Sequence, residues 1–157
     1  MRESLAALVL GMAVLAAGCF APRPEVLARD WRPLGRTGPT LETALLQSPG
    51  RANIVWETYD DAKAVQVVRM TVEYDPDGTV AFCPAAPAGM RRAARVFLVL
   101  EVTVSPDRTV AFSGARVQAY SAKGYFEEYP LDPGVMADLV TRTFPLPCPN
   151  LFLPNYL

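Results

Sequence analysis

The chain has 157 residues, with 15 Lys and Arg against 16 Asp and Glu, no histidine, 51% hydrophobic residues, 15 prolines and three cysteines. That length suits one small domain. A net charge of −1 with no basic block lacks the electrostatic footprint that nucleic-acid phosphates demand, and the missing histidine removes the commonest general base, the Ser-His and Cys-His nucleophile pairs and the commonest zinc ligand.

At the N-terminus, Met1-Arg-Glu-Ser4 leads into thirteen uncharged residues, Leu5 to Ala17, made only of Leu, Ala, Val, Gly and Met. Such a run has the length of a signal-peptide core and is too short for a stable bilayer span. It ends in Leu15-Ala16-Ala17-Gly18-Cys19. The segment resembles a bacterial lipoprotein precursor, with Ala16 where the family usually has a large aliphatic residue and Leu15 one place before it. The resemblance implies a signal peptide over 1–18, cleavage after acylation of the Cys19 thiol, and a lipid anchor on the cell envelope. Phe20, a non-acidic second residue of the mature chain, implies sorting to an outer membrane, facing the periplasm, in a host that has one. In that oxidising compartment the remaining cysteines, Cys83 and Cys148, form an even pair and are read as a disulfide. Closing so long a loop contributes roughly 4 kcal/mol in the chain-entropy account. Neither cysteine belongs to a CxxC motif, so redox catalysis has little support.

Residues 19–38, rich in proline and arginine, read as a membrane tether without a core element, and 39–157 as a single β-rich globular domain. Pro39 to Gln47 is expected as a short helix with Leu41, Ala44 and Leu45 on one face. Ala52 to Tyr59 reads as a strand. Val65 to Tyr74 alternates so that Val68, Met70, Val72 and Tyr74 face a core, and Val96 to Val104 does the same with Val96, Leu98, Leu100, Val102 and Val104. Phe97 and Val99 make the start of that last strand apolar on both sides, the mark of a central strand. Tyr125 to Tyr129 is a short aromatic edge segment. Asp132-Pro133 opens a helix with Val135, Met136, Leu139 and Val140 on one face, ended by Phe144-Pro145. The tail from Pro145 is extended, its Leu151, Phe152, Leu153 and Tyr156 covering the sheet and Cys148 fastening it.

Sliding the chain by 30 residues aligns TVEYDPDGTVAFCPA (71–85) with EVTVSPDRTVAFSGA (101–115), eight of fifteen positions being identical. Each copy reads as a β-hairpin around a Pro-Asp type I turn, with Gly78 suited to a left-handed closing position and Arg108 less so. Val80 and Phe82 are then expected to face the core. The fold class that follows is α+β: an antiparallel sheet of about four to six strands built from two repeated hairpins, with one C-terminal helix and an extended Pro-rich tail.

Chemistry-bearing constellations are sparse. Asp75-Pro-Asp77-Gly78 superficially resembles the start of a calcium loop, but no distal ligands follow and turn chemistry explains both copies. Glu57, Asp60 and Asp61 cluster in sequence, as do Glu127 and Glu128; neighbours on a strand point to opposite faces, so these read as solvated acids. No serine sits in GxSxG or SxxK. The chain therefore offers no catalytic residue, metal site or cofactor site. Tyr120, Tyr125, Phe126 and Tyr129 are the candidates for contact with a partner. The functional expectation is a non-enzymatic, membrane-anchored envelope lipoprotein that binds another envelope protein or serves a structural role. The alternative is a carrier whose Val96–Leu100 strand and tail line an apolar pocket for a hydrophobic ligand.

Overall fold

The structure is a computed structural model and describes residues 22–61 and 65–157; the expected signal peptide and Cys19 lie outside the described residues. The elements are α1 (Pro24–Asp30), α2 (Leu41–Leu46), β1 (Arg51–Asp60), β2 (Gln66–Tyr74), β3 (Met90–Arg92), β4 (Arg95–Val104), β5 (Val110–Tyr120), β6 (Phe126–Leu131), α3 (Val135–Val140) and β7 (Phe152–Pro154). Five strands form one antiparallel sheet in the order β1-β2-β4-β5-β6, and β3 pairs with β7 in a second, two-stranded sheet. This is the α+β class expected from the alternation of the long strands.

The alternation also sets the faces. Val68, Met70, Val72 and Tyr74 of β2 are completely buried, as are Leu98, Leu100 and Val102 of β4, with Val96 and Val104 nearly so. β4 is the middle strand, as its doubly apolar start required. Ala115, Val117 and Ala119 of β5 extend the same buried face. Leu41, Ala44 and Leu45 of α2, Val135, Met136 and Leu139 of α3, and Leu151 to Leu153 of the tail belong to the same core. Within it the Tyr74 hydroxyl and the Ser48 hydroxyl are 2.6 Å apart, which satisfies two otherwise stranded polar groups. Burial pushes the Tyr74 phenol well above its ordinary range.

Four local expectations are corrected. The stretch read as a tether contains α1, whose Ala28 is fully buried while Leu27 and Trp31 pack against the core; Pro24 starts it, and Glu25 and Arg29 pair across one turn. The helix after Asp132 spans only Val135–Val140, because Asp132 Oδ1 bonds the Gly134 N–H and holds the first residues in a turn. Tyr156 does not cover the sheet and is 81% exposed. The tail's order comes partly from backbone pairing of β7 with β3, which no periodicity in PLPCPNLFLPNYL announces.

The fourth correction concerns the repeat. The second copy is a hairpin: Ser105 N–H bonds Thr109 O, Arg108 N–H bonds Ser105 O, and Asp107 accepts from Thr109 N–H. The first copy is not. After β2 the chain turns through Asp75-Pro-Asp77 into a 3-10 helix, Gly78–Ala81. Asp75 makes the difference, since its Oδ1 accepts the Asp77 N–H while its carbonyl accepts the Thr79 N–H. Asp-Pro thus acts as a helix start, a role Ser105 does not take in the other copy. Thr79 becomes the buried residue, and Val80 and Phe82 are exposed at 42% and 43%. The left-handed position falls to Arg108, at φ 69°, and not to Gly78.

The expected disulfide joins Cys83 to Cys148 with a Cα–Cα distance of 5.4 Å across a separation of 65 residues. It ties the end of the first copy to the tail.

Two outcomes follow. Gly78→Ala is tolerated within about 0.5 kcal/mol, because Gly78 has an ordinary φ and an added Cβ meets nothing closer than 3.4 Å, whereas Arg108→Gly stabilises by about 0.5–1 kcal/mol by relieving a left-handed arginine; urea midpoints measure both. Replacing both Cys83 and Cys148 by alanine lowers stability by about 2–4 kcal/mol, yet limited proteolysis still finds the tail protected, since Leu151 and Leu153 are fully buried.

Candidate functional site

Because the helices and the tail pack on one side, the other face of the five-stranded sheet has no covering layer among the described residues. The chain furnishes it with long polar side chains at the positions that alternate with the core. Tyr59 on β1, Arg69 on β2, Glu101 on β4, Arg116 on β5 and Glu128 on β6 form a ladder across all five strands. Arg69 Nε donates to Glu101 Oε1 at 2.8 Å, Tyr59 Oη donates to the same oxygen at 3.1 Å, and Arg69 Nη2 donates to Tyr59 Oη at 3.1 Å. Arg116 lies 3.4 Å from Glu101 and 3.1 Å from Glu128, which also accepts from Gln118 at 2.8 Å. Val67 and Val99 sit on this same face and are only 7% and 2% exposed, shielded by the stems of these side chains.

Glu101 is the hub. Burial alone would raise its carboxyl pKa, but hydrogen bonds from Arg69 and Tyr59 and the charges of Arg116 and Arg69 outweigh it, and the pKa lies below the ordinary value. The same contact with Glu101, added to burial, raises the Tyr59 phenol.

One corner of the face is aromatic. The Arg95 guanidinium lies 4.8 Å over the Phe97 ring, Phe97 meets Tyr120 edge-on at 5.6 Å, and Tyr120 stacks on Phe126 at 5.2 Å. This run crosses β4, β5 and β6. Phe126 is 55% exposed, and Tyr125, beside it at the β5–β6 turn, 58%. Of the four aromatics singled out from sequence, Tyr120 and Phe126 are in contact, and Tyr125 is the exposed chain neighbour of Phe126. Tyr129 is elsewhere: it lies half-buried against the core on the opposite face, its hydroxyl donating to Glu127 at 2.8 Å, and burial with that carboxylate raises its pKa to about 12. Phe97 and Arg95 were missed as site residues. The signal for Phe97 was its outward register in an otherwise regular alternation.

Among the described residues the acidic neighbours singled out from sequence do not converge on one face. Glu127 and Glu128 stand opposite Ala119 and Gln118 and so occupy opposite faces, and Glu57 and Asp60 differ in the same way along β1. Asp61 Oδ1 accepts the Val65 N–H. Among the described residues no three His, Cys, Asp or Glu side chains converge as a metal site, and no helix is long and apolar enough to cross a membrane. Of the Val96–Leu100 strand and the tail, which line an apolar pocket in the carrier reading, Val96, Leu98, Leu100, Leu151, Phe152 and Leu153 are packed in the core. An apolar cleft of about 220 Å³ lies between Trp31, Leu34, Phe112, Pro133 and Met136 and opens to solvent.

No family model, curated protein or solved structure matches the chain.

The ladder has a measurable weight. Glu101→Gln leaves Arg69 and Arg116 without their shared anion and costs about 1–2 kcal/mol near neutral pH. A carboxylate whose pKa is lowered in the folded state contributes stability above its unfolded pKa and loses it as pH falls through the folded one. The gap between wild type and variant in urea unfolding therefore holds at neutral pH and narrows as the pH falls below the ordinary carboxylate range.

Proposed function

We propose that the protein is a non-enzymatic envelope lipoprotein, anchored through Cys19, that binds another envelope protein with the aromatic corner of its uncovered sheet face. The observation that carries the reading is that corner: Phe126 is more than half exposed, as is its chain neighbour Tyr125, Phe126 ends an ordered ring ladder that runs through Tyr120 to Phe97, and the Arg95 guanidinium lies at the far end. Rigid aromatics flanked by arginine are the composition of protein-binding hot spots, since they bury large area at little entropic cost. The anchor rests on the apolar run that ends in Leu15-Ala-Ala-Gly-Cys19. In a host with an outer membrane it places the domain on the periplasmic side of that membrane.

The test places a photoreactive phenylalanine analogue at position 126 or 97 of the full chain in its native host, with position 142 as the control. The expected result is a discrete adduct from 126 and 97 only, lost when Tyr125→Ala is added. Equal labelling from all three positions overturns the binding surface. Separately, Cys19→Ala leaves uncleaved precursor or releases the protein from the membrane fraction; an unmodified Cys19 on a fully soluble native protein overturns the anchor.

A further inference from the structure

The two edges of the sheet are built differently. In β6 the Ser121 N–H to Tyr125 O bond fixes which residues turn their backbone groups inward, so Phe126, Glu128 and Pro130 turn theirs outward. Pro130 has no N–H to offer there, which blunts that edge. In β1 the Asp61 N–H to Val65 O bond sets the alternation, and Ile54, Trp56, Thr58 and Asp60 turn their N–H and C=O groups outward. Asn53 Oδ1 takes the Ile54 N–H at 2.8 Å. The backbone groups of Trp56 and Thr58 have no hydrogen bond to any described residue on that side. This edge strand is ten residues long and holds neither proline nor lysine, the two residues that most often protect an edge.

The side chains on the helix-facing side of β1 have a polarity that matches its own reverse. A register shift at Ala52 puts Arg51 opposite Tyr74, on that side, followed by Ile54, Trp56, Thr58 and Asp60. Among the described residues Arg51 donates only to the Leu46 carbonyl, at 3.0 Å, and has no carboxylate within salt-bridge distance, and the exposed Asp60 makes no ion pair. An antiparallel copy related by a twofold axis through Trp56 sets Arg51 against the second Asp60, Ile54 against the second Thr58, and Trp56 against itself. Two unpaired charges of one chain become two ion pairs of a dimer. Shape agrees with charge. The cleft of about 240 Å³ beside Arg51, Ile54 and Trp56 is walled by Arg29, Glu42 and Leu46 from α1 and α2, whereas Glu57 to Asp60 are exposed. The helix-covered half of each β1 therefore meets the bare half of the other, and Asp60 arrives at the cleft beside Arg51.

We propose that β1 pairs with β1 of a second copy of this chain, joining two five-stranded sheets into one ten-stranded antiparallel sheet with Trp56 on the twofold axis. The pairing satisfies the outward groups of Trp56 and Thr58 and needs only that Asn53 release the Ile54 N–H. It uses the edge opposite to the aromatic corner and stands independently of what that corner binds.

The register gives a specific test on the full chain in mild detergent. On the uncovered face Asn53 falls opposite Tyr59 of the other copy in a non-hydrogen-bonded pair, whose Cα atoms are about 4.5 Å apart and within disulfide reach, while each is some six residues from its own counterpart. Asn53→Cys with Tyr59→Cys in one chain is expected to give a covalent dimer on mild oxidation, and either substitution alone is not. Light scattering is expected to show twice the chain mass for wild type, and Asp60→Lys, at an exposed position, to raise the dissociation constant at least tenfold with an unchanged near-ultraviolet spectrum. A wild-type monomer at tens of micromolar overturns the proposal and leaves the edge to a strand from another protein. A wild-type dimer whose double-cysteine variant stays uncrosslinked overturns it in favour of another contact.

Discussion

One carboxylate organises the uncovered face of this sheet. A small antiparallel sheet has two faces, and the three short helices among the described residues cover only one of them. The other face must be stable in water while its central strand carries Val99, which is as buried as a core residue. Glu101 solves this by drawing Tyr59, Arg69 and Arg116 from three neighbouring strands onto one anion. Their aliphatic and aromatic portions then lie flat across the sheet as a thin polar lid. An exposed pair of this kind contributes little alone, and several sharing one hub contribute more because each partner fixes the geometry of the next. The same organisation holds the strands of the uncovered face in register without a second layer.

On the covered face, the helices do not complete the cover. Leu151, Phe152 and Leu153 finish it, and they arrive from a segment with too many prolines to hold itself in place. Three devices fix it there. β7 pairs with β3, the Cys83–Cys148 bond closes the loop onto the tail, and Arg92 on β3 ties the two together. The Arg92 guanidinium donates to Thr79 Oγ1 at 2.9 Å and to the Cys83 carbonyl, and it lies 5.0 Å over the Phe152 ring. The loop that failed to become a hairpin thus serves as the base onto which the tail is fastened.

What was legible in the sequence was what depends on period and parity. The core faces of β2 and β4 and the central place of β4 follow from alternation, and the partners of the disulfide from the two cysteines left once Cys19 is set aside as the expected acylation site; Val68, Leu98, Cys83 and Cys148 stand where that logic put them. What was not legible depends on competition between local bonds. Asp75 and Ser105 look interchangeable in an aligned repeat, yet only the aspartate side chain accepts the N–H two residues on, and the chain there enters a helical turn where the other copy continues as a hairpin. The short β3–β7 pair and the burial of Ala28 depend on partners far away in the chain and leave no pattern in their own segments. Of the candidate site, Tyr120 and Phe126 were visible as aromatics, but parity also places Tyr129 on the other face from Phe126, and Phe97 joins them only through the cross-strand register.

The asymmetry of the sheet edges extends to what each end of the molecule can recognise. At β6 the outward backbone is interrupted at Pro130, so a partner there must engage side chains, and the exposed rings of Tyr125 and Phe126 are what it meets. At β1 the backbone itself is the offered surface, and the Asn53 amide caps the Ile54 N–H, a cap that a competing strand displaces at the cost of one hydrogen bond. Side-chain contact discriminates by shape and charge, whereas backbone pairing discriminates weakly unless the flanking side chains impose a register. Arg51 and Asp60, at opposite ends of the same face of β1, impose one, because shifting an antiparallel copy by two residues moves each charge off its complement. An edge that would otherwise pair with any extended segment is thereby made selective for its own sequence.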